Sequence, residues 1–309
     1  MLLKNNTSSL QNILNKVSSF IKINTDRDDY IENLFITNKT NISAYGNSKI
    51  TIIGNGAFAY CFNLTSVNFP NCITIGSYAF YECSKLISVS FPNCTSIDSY
   101  AFKRCDKLTS LVSFPQCATI GSYAFHNTTL QTVPDFPNCT TIGYGAFADC
   151  FGFTSVNFPN CATINYGAFT NCPSLTSVNF PKCTTIGSSA FYKCPRLTSV
   201  SFPSCTTIGN SAFASCSKLT SVSFPECTRI SSYAFSNCYI LSQLYLTGSS
   251  LCRLYNSNAF ASTPFTGYSS YFSGTPYIYV PESLVTSYQN ATNWTYFSSY
   301  ISAYNDNIV

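Results

Sequence analysis

The chain has 309 residues, of which 45% are hydrophobic and only 9% charged, with a net charge of +4. So thin and diffuse a positive balance excludes a nucleic-acid surface, which needs clustered Lys and Arg, and no run of 18 apolar residues is present to cross a membrane as a helix. With charge this scarce, solubility must come from Ser, Thr, Asn and Tyr.

In chain order, the first predicted element is a helix starting at Ser8 or Ser9 and running to about Phe20. Leu10, Ile13, Val17 and Phe20 lie along one side of it. Two heptads fall short of a coiled coil, so the helix reads as a cover over an open end of the core, or else as an oligomerising or anchoring helix. Met1 to Phe20 shows no continuous apolar stretch with a small-residue cleavage site, so no standard secretory signal is expected. Ile31-Glu-Asn-Leu34-Phe-Ile36 reads as a degenerate first strand, and Ile52-Ile53-Gly54 picks up a register that then repeats.

The repeat is explicit. Phe-Pro recurs at 69–70, 91–92, 114–115, 136–137, 158–159, 180–181, 202–203 and 224–225, a spacing of 22 residues with one step of 23. Ala-Phe recurs with it from 57–58 to 259–260. One unit reads Leu64-Thr-Ser-Val67-Asn-Phe69-Pro-Asn-Cys72-Ile-Thr-Ile75-Gly-Ser-Tyr-Ala79-Phe80. Leu64, Val67, Phe69 and Cys72 fill the slots of the leucine-rich pattern L-x-x-L-x-L-x-x-N/C. Alternation around Val67 predicts a strand, which Pro70 ends by removing a backbone donor. Ile75-Gly76 then turns the chain, and Ala79-Phe80 sends a second apolar wedge inward. No unit can bury its apolar side alone, so stacked neighbours must share one core. About nine good turns at roughly 4.8 Å each predict a body about 45 Å long with two Phe ladders.

The fold class is therefore a repeat solenoid of about 22 residues per turn. Each turn carries a parallel strand and a turn or short 3-10 segment, and helical caps close both ends. Residues 1–30 form the N-terminal cap, 31–260 the array and 261–309 the C-terminal cap. The pattern loosens at Leu108–Phe114, which has one extra residue, and at Leu130–Phe136, where Thr128 stands in the place of a Cys. Tyr277-Ile-Tyr-Val280 reads as a last strand, and Glu282 to about Ser302 as a helical cap packed through Trp294.

Sixteen of the 17 cysteines form two columns, one after Phe-Pro-x (Cys72 to Cys227) and one after Ala-Phe-x-x (Cys61 to Cys238); Cys252 is the extra one. There is no Cys-x-x-Cys pair for zinc, and the large core makes a disulfide framework unnecessary. Buried thiols acting as small apolar groups with a weak donor are expected, most of them reduced.

No constellation of residues in the sequence points to catalysis. His126 has no Cys, Asp or Glu forced beside it by the repeat, and Asp98, Asp106, Asp135, Asp149 and Glu226 share no column. No catalytic residue, metal site or cofactor is expected. The recurring Ile-Gly-Ser-Tyr-Ala-Phe is a turn rather than a phosphate loop, because it lacks the Lys and the downstream spacing.

Two surface columns remain. Between the inward residues of the strands lie Thr65, Ser66 and Asn68, then Ser155 and Asn157, Ser177 and Asn179, Ser199 and Ser201, and Ser221 and Ser223. This concave face is a carpet of hydroxyls and amides. It suits hydrogen bonding to a polar polymer such as a glycan, or serves only to keep the sheet soluble. Lys85, Lys107, Arg196 and Lys218 form a mild basic rim of the kind that guards solubility.

The unit Ile-Gly-Ser-Tyr-Ala-Phe-Tyr-x-Cys-Ser-Lys-Leu-x-Ser-Val-x-Phe-Pro closely resembles the BspA-type (Treponema-type) leucine-rich repeat over about residues 50–260. The tail from Thr263-Pro-Phe265 to Asn293-Trp294 resembles the C-terminal cap of such proteins. The resemblance implies a surface or secreted solenoid and an adhesin for host matrix proteins or other cells, although no signal peptide, transmembrane segment or wall anchor is seen. Thr7 to Val17 more weakly resembles N-terminal segments of prophage-encoded accessory proteins. The leading expectation is a non-enzymatic adhesion module offering its concave face to host or cell-surface proteins or glycans, without nucleic acid or membrane insertion. The alternatives are a structural or phage-particle accessory protein, homo-oligomeric through the N-terminal helix, and an ice-ordering surface, for which the columns mix Asn, Ser and Thr too freely.

Overall fold

A computed structural model describes residues 48–110, 114–133, 136–267 and 271–305, together with the backbone of 30–31, 44–46 and 111. The predicted helix over 8–20 and the residues Leu34 and Ile36 lie outside the described residues. Every strand pairing is parallel and joins one coil to the next.

Each coil has three sides, and each side bonds to its neighbours. The first is the predicted strand, of three residues in most coils, as in Ser66–Asn68, whose middle Val67 points inward. The second is a two-residue strand, as in Thr74–Ile75, with Ile75 fully buried. The sequence reading made this segment part of a turn; two residues are too few to show alternation. These short strands nevertheless form a continuous sheet of 11, from Tyr30–Ile31 to Arg253–Leu254. The first side is divided into sheets of four, two and five strands.

The third side is the Ala-Phe segment, which forms turns in the repeated coils and a 3-10 helix, Ser257–Phe260, in the last one. Tyr78 and Glu82 both adopt left-handed φ (59° and 55°). Between these bends the N–H groups alternate in duty. Those of Ala79, Tyr81 and Cys83 close local turns, whereas those of Tyr78, Phe80 and Glu82 donate to Ser99, Ala101 and Lys103 of the next coil at 2.7–3.0 Å. The backbone of the turn thus stacks like a strand and leaves few buried groups unpaired.

The core fills the space between the sides. Rings from Phe58 to Phe260 stack at 5.0–5.6 Å, and those from Phe69 to Phe224 at 5.3–6.1 Å. Both ladders are fully buried, as are the Leu, Ile and Ala columns around them. Gly143 shows how close the coils lie: a Cβ there would sit 2.5 Å from the Ser122 backbone nitrogen.

At the C-terminal end the expected strand spans Tyr277–Val280. The expected cap helix is broken into a 3-10 turn at Glu282–Leu284, a short α-helix at Val285–Asn290 and a second 3-10 turn at Thr295–Tyr300. Extended Ala291 ends the α-helix, and left-handed Asn293 (φ 67°) redirects the chain. Ile301–Ala303 then adds a last strand to the sheet. Trp294 is completely buried and donates its Nε1–H to the Cys252 carbonyl at 2.7 Å, while the Cys252 N–H donates to the Tyr288 hydroxyl at 2.8 Å. No helix among the described residues is long and apolar enough to cross a membrane.

Candidate functional site

The thiols are structural. All seventeen are buried, and no disulfide joins any two of them. In the column after Phe-Pro-x, each thiol donates within its own coil, as Cys94 Sγ does to the Ser96 carbonyl at 3.1 Å. In the other column the donation crosses coils: Cys83, Cys105 and Cys150 reach the carbonyls of Phe58, Phe80 and Phe125 at 3.1 Å. Burial pushes the Cys72 thiol up to about 12 and the Cys183 thiol up to about 11, so these two carry no nucleophilic thiolate near neutrality. Thr128, in the vacant Cys position, is also buried; its hydroxyl donates to the Phe125 carbonyl at 3.0 Å.

His126 does have an acidic neighbour, contrary to the sequence reading. Its Nε2 lies 3.0 Å from Asp149 Oδ2. The left-handed bends place Asp149 one coil on, a juxtaposition that linear spacing does not reveal. Burial is the first reason that the imidazole pKa falls below its ordinary 6.5, and the Lys103 and Arg104 charges add to it, against Asp149. Buried Nδ1 has no hydrogen-bond partner, which also favours the neutral ring. Cys150 points inward to the Phe125 carbonyl and the Thr128 hydroxyl, so no thiol–imidazole pair forms here. Among the described residues, no three His, Cys, Asp or Glu side chains gather where they could hold a metal ion.

The surface columns are better organised. All eleven predicted face residues lie at the surface. Asn68, Ser155, Ser177, Asn179, Ser199 and Ser201 are exposed; Thr65, Ser66, Asn157, Ser221 and Ser223 are half-buried. Register pairs Ser155 with Ser177, Asn157 with Asn179, Ser199 with Ser221 and Ser201 with Ser223. Within each of these two sheets the pairs line up as two rows. Asn179 Nδ2 donates to Asn157 Oδ1 at 2.7 Å, which makes part of one row a bonded amide ladder. The threonines beside the rows are engaged by the backbone: Thr176 and Thr220 hydroxyls donate to the carbonyls of Thr154 and Thr198 at 3.0 Å.

Two aromatic features were missed. On the left-handed bends, Tyr78, Tyr100 and Tyr123 stack at 4.7 and 5.2 Å, with Lys103 Nζ 5.1 Å and 5.4 Å from the last two rings. The Tyr of Ser-Tyr-Ala-Phe at a 22- or 23-residue interval was the available signal. The second lies at the C-terminal end of the hydroxyl rows. Gln243 and Tyr245 pair with Ser221 and Ser223, and Tyr277 and Tyr279 pair with Gln243 and Tyr245. The alternation in Tyr277-Ile-Tyr-Val280 would have put both rings on the outer face.

Comparison with known proteins agrees with this architecture. The family described as the BspA type leucine rich repeat region matches residues 30–152 and 140–266, in six copies. A leucine-rich repeat protein from Bacteroides ovatus is 18% identical, covering 90% of this chain and 94% of that one, with a TM-score of 0.38. One from Eubacterium ventriosum is 20% identical, covering 79% and 91%, with a TM-score of 0.45. A leucine rich cell surface protein from Faecalibacterium prausnitzii is 21% identical, covering 72% and 90%, with a TM-score of 0.31. No curated protein matches the sequence. With its repeat matched over most of its length, the chain belongs to the BspA-type leucine-rich-repeat family.

Proposed function

We propose that the chain is a non-enzymatic adhesion module whose ligand lies along the three-residue strands, against cell-surface proteins or glycans. The observation that carries this reading is the pair of outward rows, held in register by parallel pairing and anchored by buried Val156 and Val200. A polar surface on short strands over a packed core is rigid, so little ordering opposes binding. Ser and Asn beside Tyr form a chemically adaptable contact surface, in which Tyr supplies area and the small residues supply hydrogen bonds.

The test is a triple variant, Ser155→Lys, Ser177→Lys and Ser199→Lys, measured for attachment to immobilised extracellular-matrix proteins and glycoproteins. These side chains are exposed, so the fold should survive. Attachment should fall by about tenfold or more, the equivalent of about 1.4 kcal/mol. Unchanged attachment would show that another surface is used.

A further inference from the structure

We infer that the C-terminal end of this face is a landing site for a neutral polysaccharide, with Tyr277 as the ring on which a sugar stacks. The inference rests on the reading of the face as the ligand-contacting surface and narrows it to one place and one chemistry.

Both hydroxyl rows run into aromatic rings there. One passes through Ser199, Ser221 and Gln243 to Tyr277; the other through Ser201, Ser223 and Tyr245 to Tyr279. Tyr245 and Tyr279 stack at 4.8 Å and 18°, Tyr277 and Tyr279 lie 5.7 Å apart at 27°, and Tyr304 meets Tyr245 edge-on at 6.1 Å. Fully buried Leu244 and Ile278 fix the strands beneath. Packing accounts for Tyr279, which is 7% exposed, but Tyr277 is 40% exposed. It is a ring on a strand, braced on one side and open to solvent elsewhere, which is the preorganisation a binding site needs. At the other end of the face the first described positions of the rows are Ala44 and Gly46, which offer no ring.

Two features select the ligand class. The described positions of the two rows are Ala, Gly, Ser, Asn, Gln and Tyr, without a charge. Such rows offer hydrogen bonds but no counter-charge to an anionic chain or a charged peptide. The rows also repeat once per coil, and a periodic array is matched by a ligand that repeats along one axis. A neutral polysaccharide has both properties. Its pyranose edges carry hydroxyls for Ser, Asn and Gln, and its C–H faces are apolar and pack on an aromatic ring.

The test uses the full chain in affinity electrophoresis through gels containing amylose, laminarin or galactomannan, at low and high salt. At least one polysaccharide should retard the chain, equally at both salts. Tyr277→Ala should weaken that retardation by about tenfold or more, as loss of a central aromatic anchor does, whereas Tyr277→Phe should stay close to wild type; circular dichroism would check that both fold. Wild-type chain that none of the polysaccharides retards, or retardation indifferent to Tyr277→Ala, overturns the inference. So does retardation lost at high salt, which would point to charge and the basic rim. If the polysaccharides are ignored while the three lysines still abolish attachment to matrix proteins, the sugar inference falls and the adhesion reading stands. If the lysines also change nothing, both fall.

Discussion

The two sheets answer the same disturbance differently. The three-residue side is interrupted at the extra residue in Leu108–Phe114 and the altered coil that follows, where Ser110–Leu111 pairs back to Ser88–Val89 and the next paired strand among the described residues is Ser155–Asn157, and again between Ser177–Asn179 and Ser199–Ser201. Across the same coils the two-residue sheet continues, pairing Ser96–Ile97 with Thr119–Ile120 and that strand with Thr141–Ile142. The core is equally indifferent, for Phe114, Phe136 and Phe158 remain stacked at 5.6 and 5.3 Å. The two-residue sheet, the stacked turns and the Phe ladders are therefore the spine, and the three-residue sheet is the side free to vary. A ligand-contacting surface on that side can change without dismantling the solenoid.

The sharpest way to break this contrast is to cut the spine. Phe147 stacks on Phe125 and Phe169 at 5.2 and 5.3 Å and also meets Phe158 edge-on at 6.0 Å. Phe147→Ala should destabilise the chain by about 3–5 kcal/mol, read as a shift of the urea midpoint. Because each coil holds only its neighbours, the loss should also separate unfolding of the two halves. A single transition shifted by less than 1 kcal/mol (about the size of a surface change) would show that the ladder is not the spine. A smaller effect is expected at Gly143, where a new Cβ meets the Ser122 nitrogen at 2.5 Å and the Gly121 carbonyl carbon at 2.6 Å. Asp98 and Asn165 occupy the same column in other coils, so neighbouring backbone can shift to admit a side chain. Gly143→Ala should therefore cost about 1–3 kcal/mol, whereas Gln131→Ala, an exposed position in the interrupted side, should fall within about 0.5 kcal/mol.

Legibility in the sequence follows the same division. Inward positions repeat because burial repeats, so Leu64, Val67, Phe69, Cys72, Ile75, Ala79 and Phe80 reveal the core directly, and all seven are buried. The two-residue sheet was hidden, since Thr74–Ile75 has no alternation to read and its pairing is visible only between coils. The face rows followed from alternation around Val67. Tyr277 and Tyr279 were assigned to a strand, but their place at the end of those rows depended on register across the long connection from Tyr245. His126 and Asp149 were missed as neighbours for a similar reason: their approach is set by left-handed bends that linear spacing does not encode.

The His126–Asp149 contact gives the smallest effect and tests the interrupted region itself. His126 is half-buried and faces Asp149, Lys103, Arg104 and the edge of Tyr123. Its folded pKa is lowered, chiefly by burial, so the unfolded chain takes the proton first as pH falls. Protonation therefore favours unfolding. Stability contributed by this site should be level above about pH 6.5 and decline as pH drops from there through the folded value. Urea midpoints taken from neutral to mildly acidic pH should show that decline in wild type and lose it in His126→Asn. In Asp149→Asn the decline should steepen, because the one neighbouring charge that raises the imidazole pKa is gone. The opposite result, a chain that gains stability as His126 protonates, would mean that the Asp149 ion pair outweighs burial. The interrupted region would then be held by charge where the spine is held by packing.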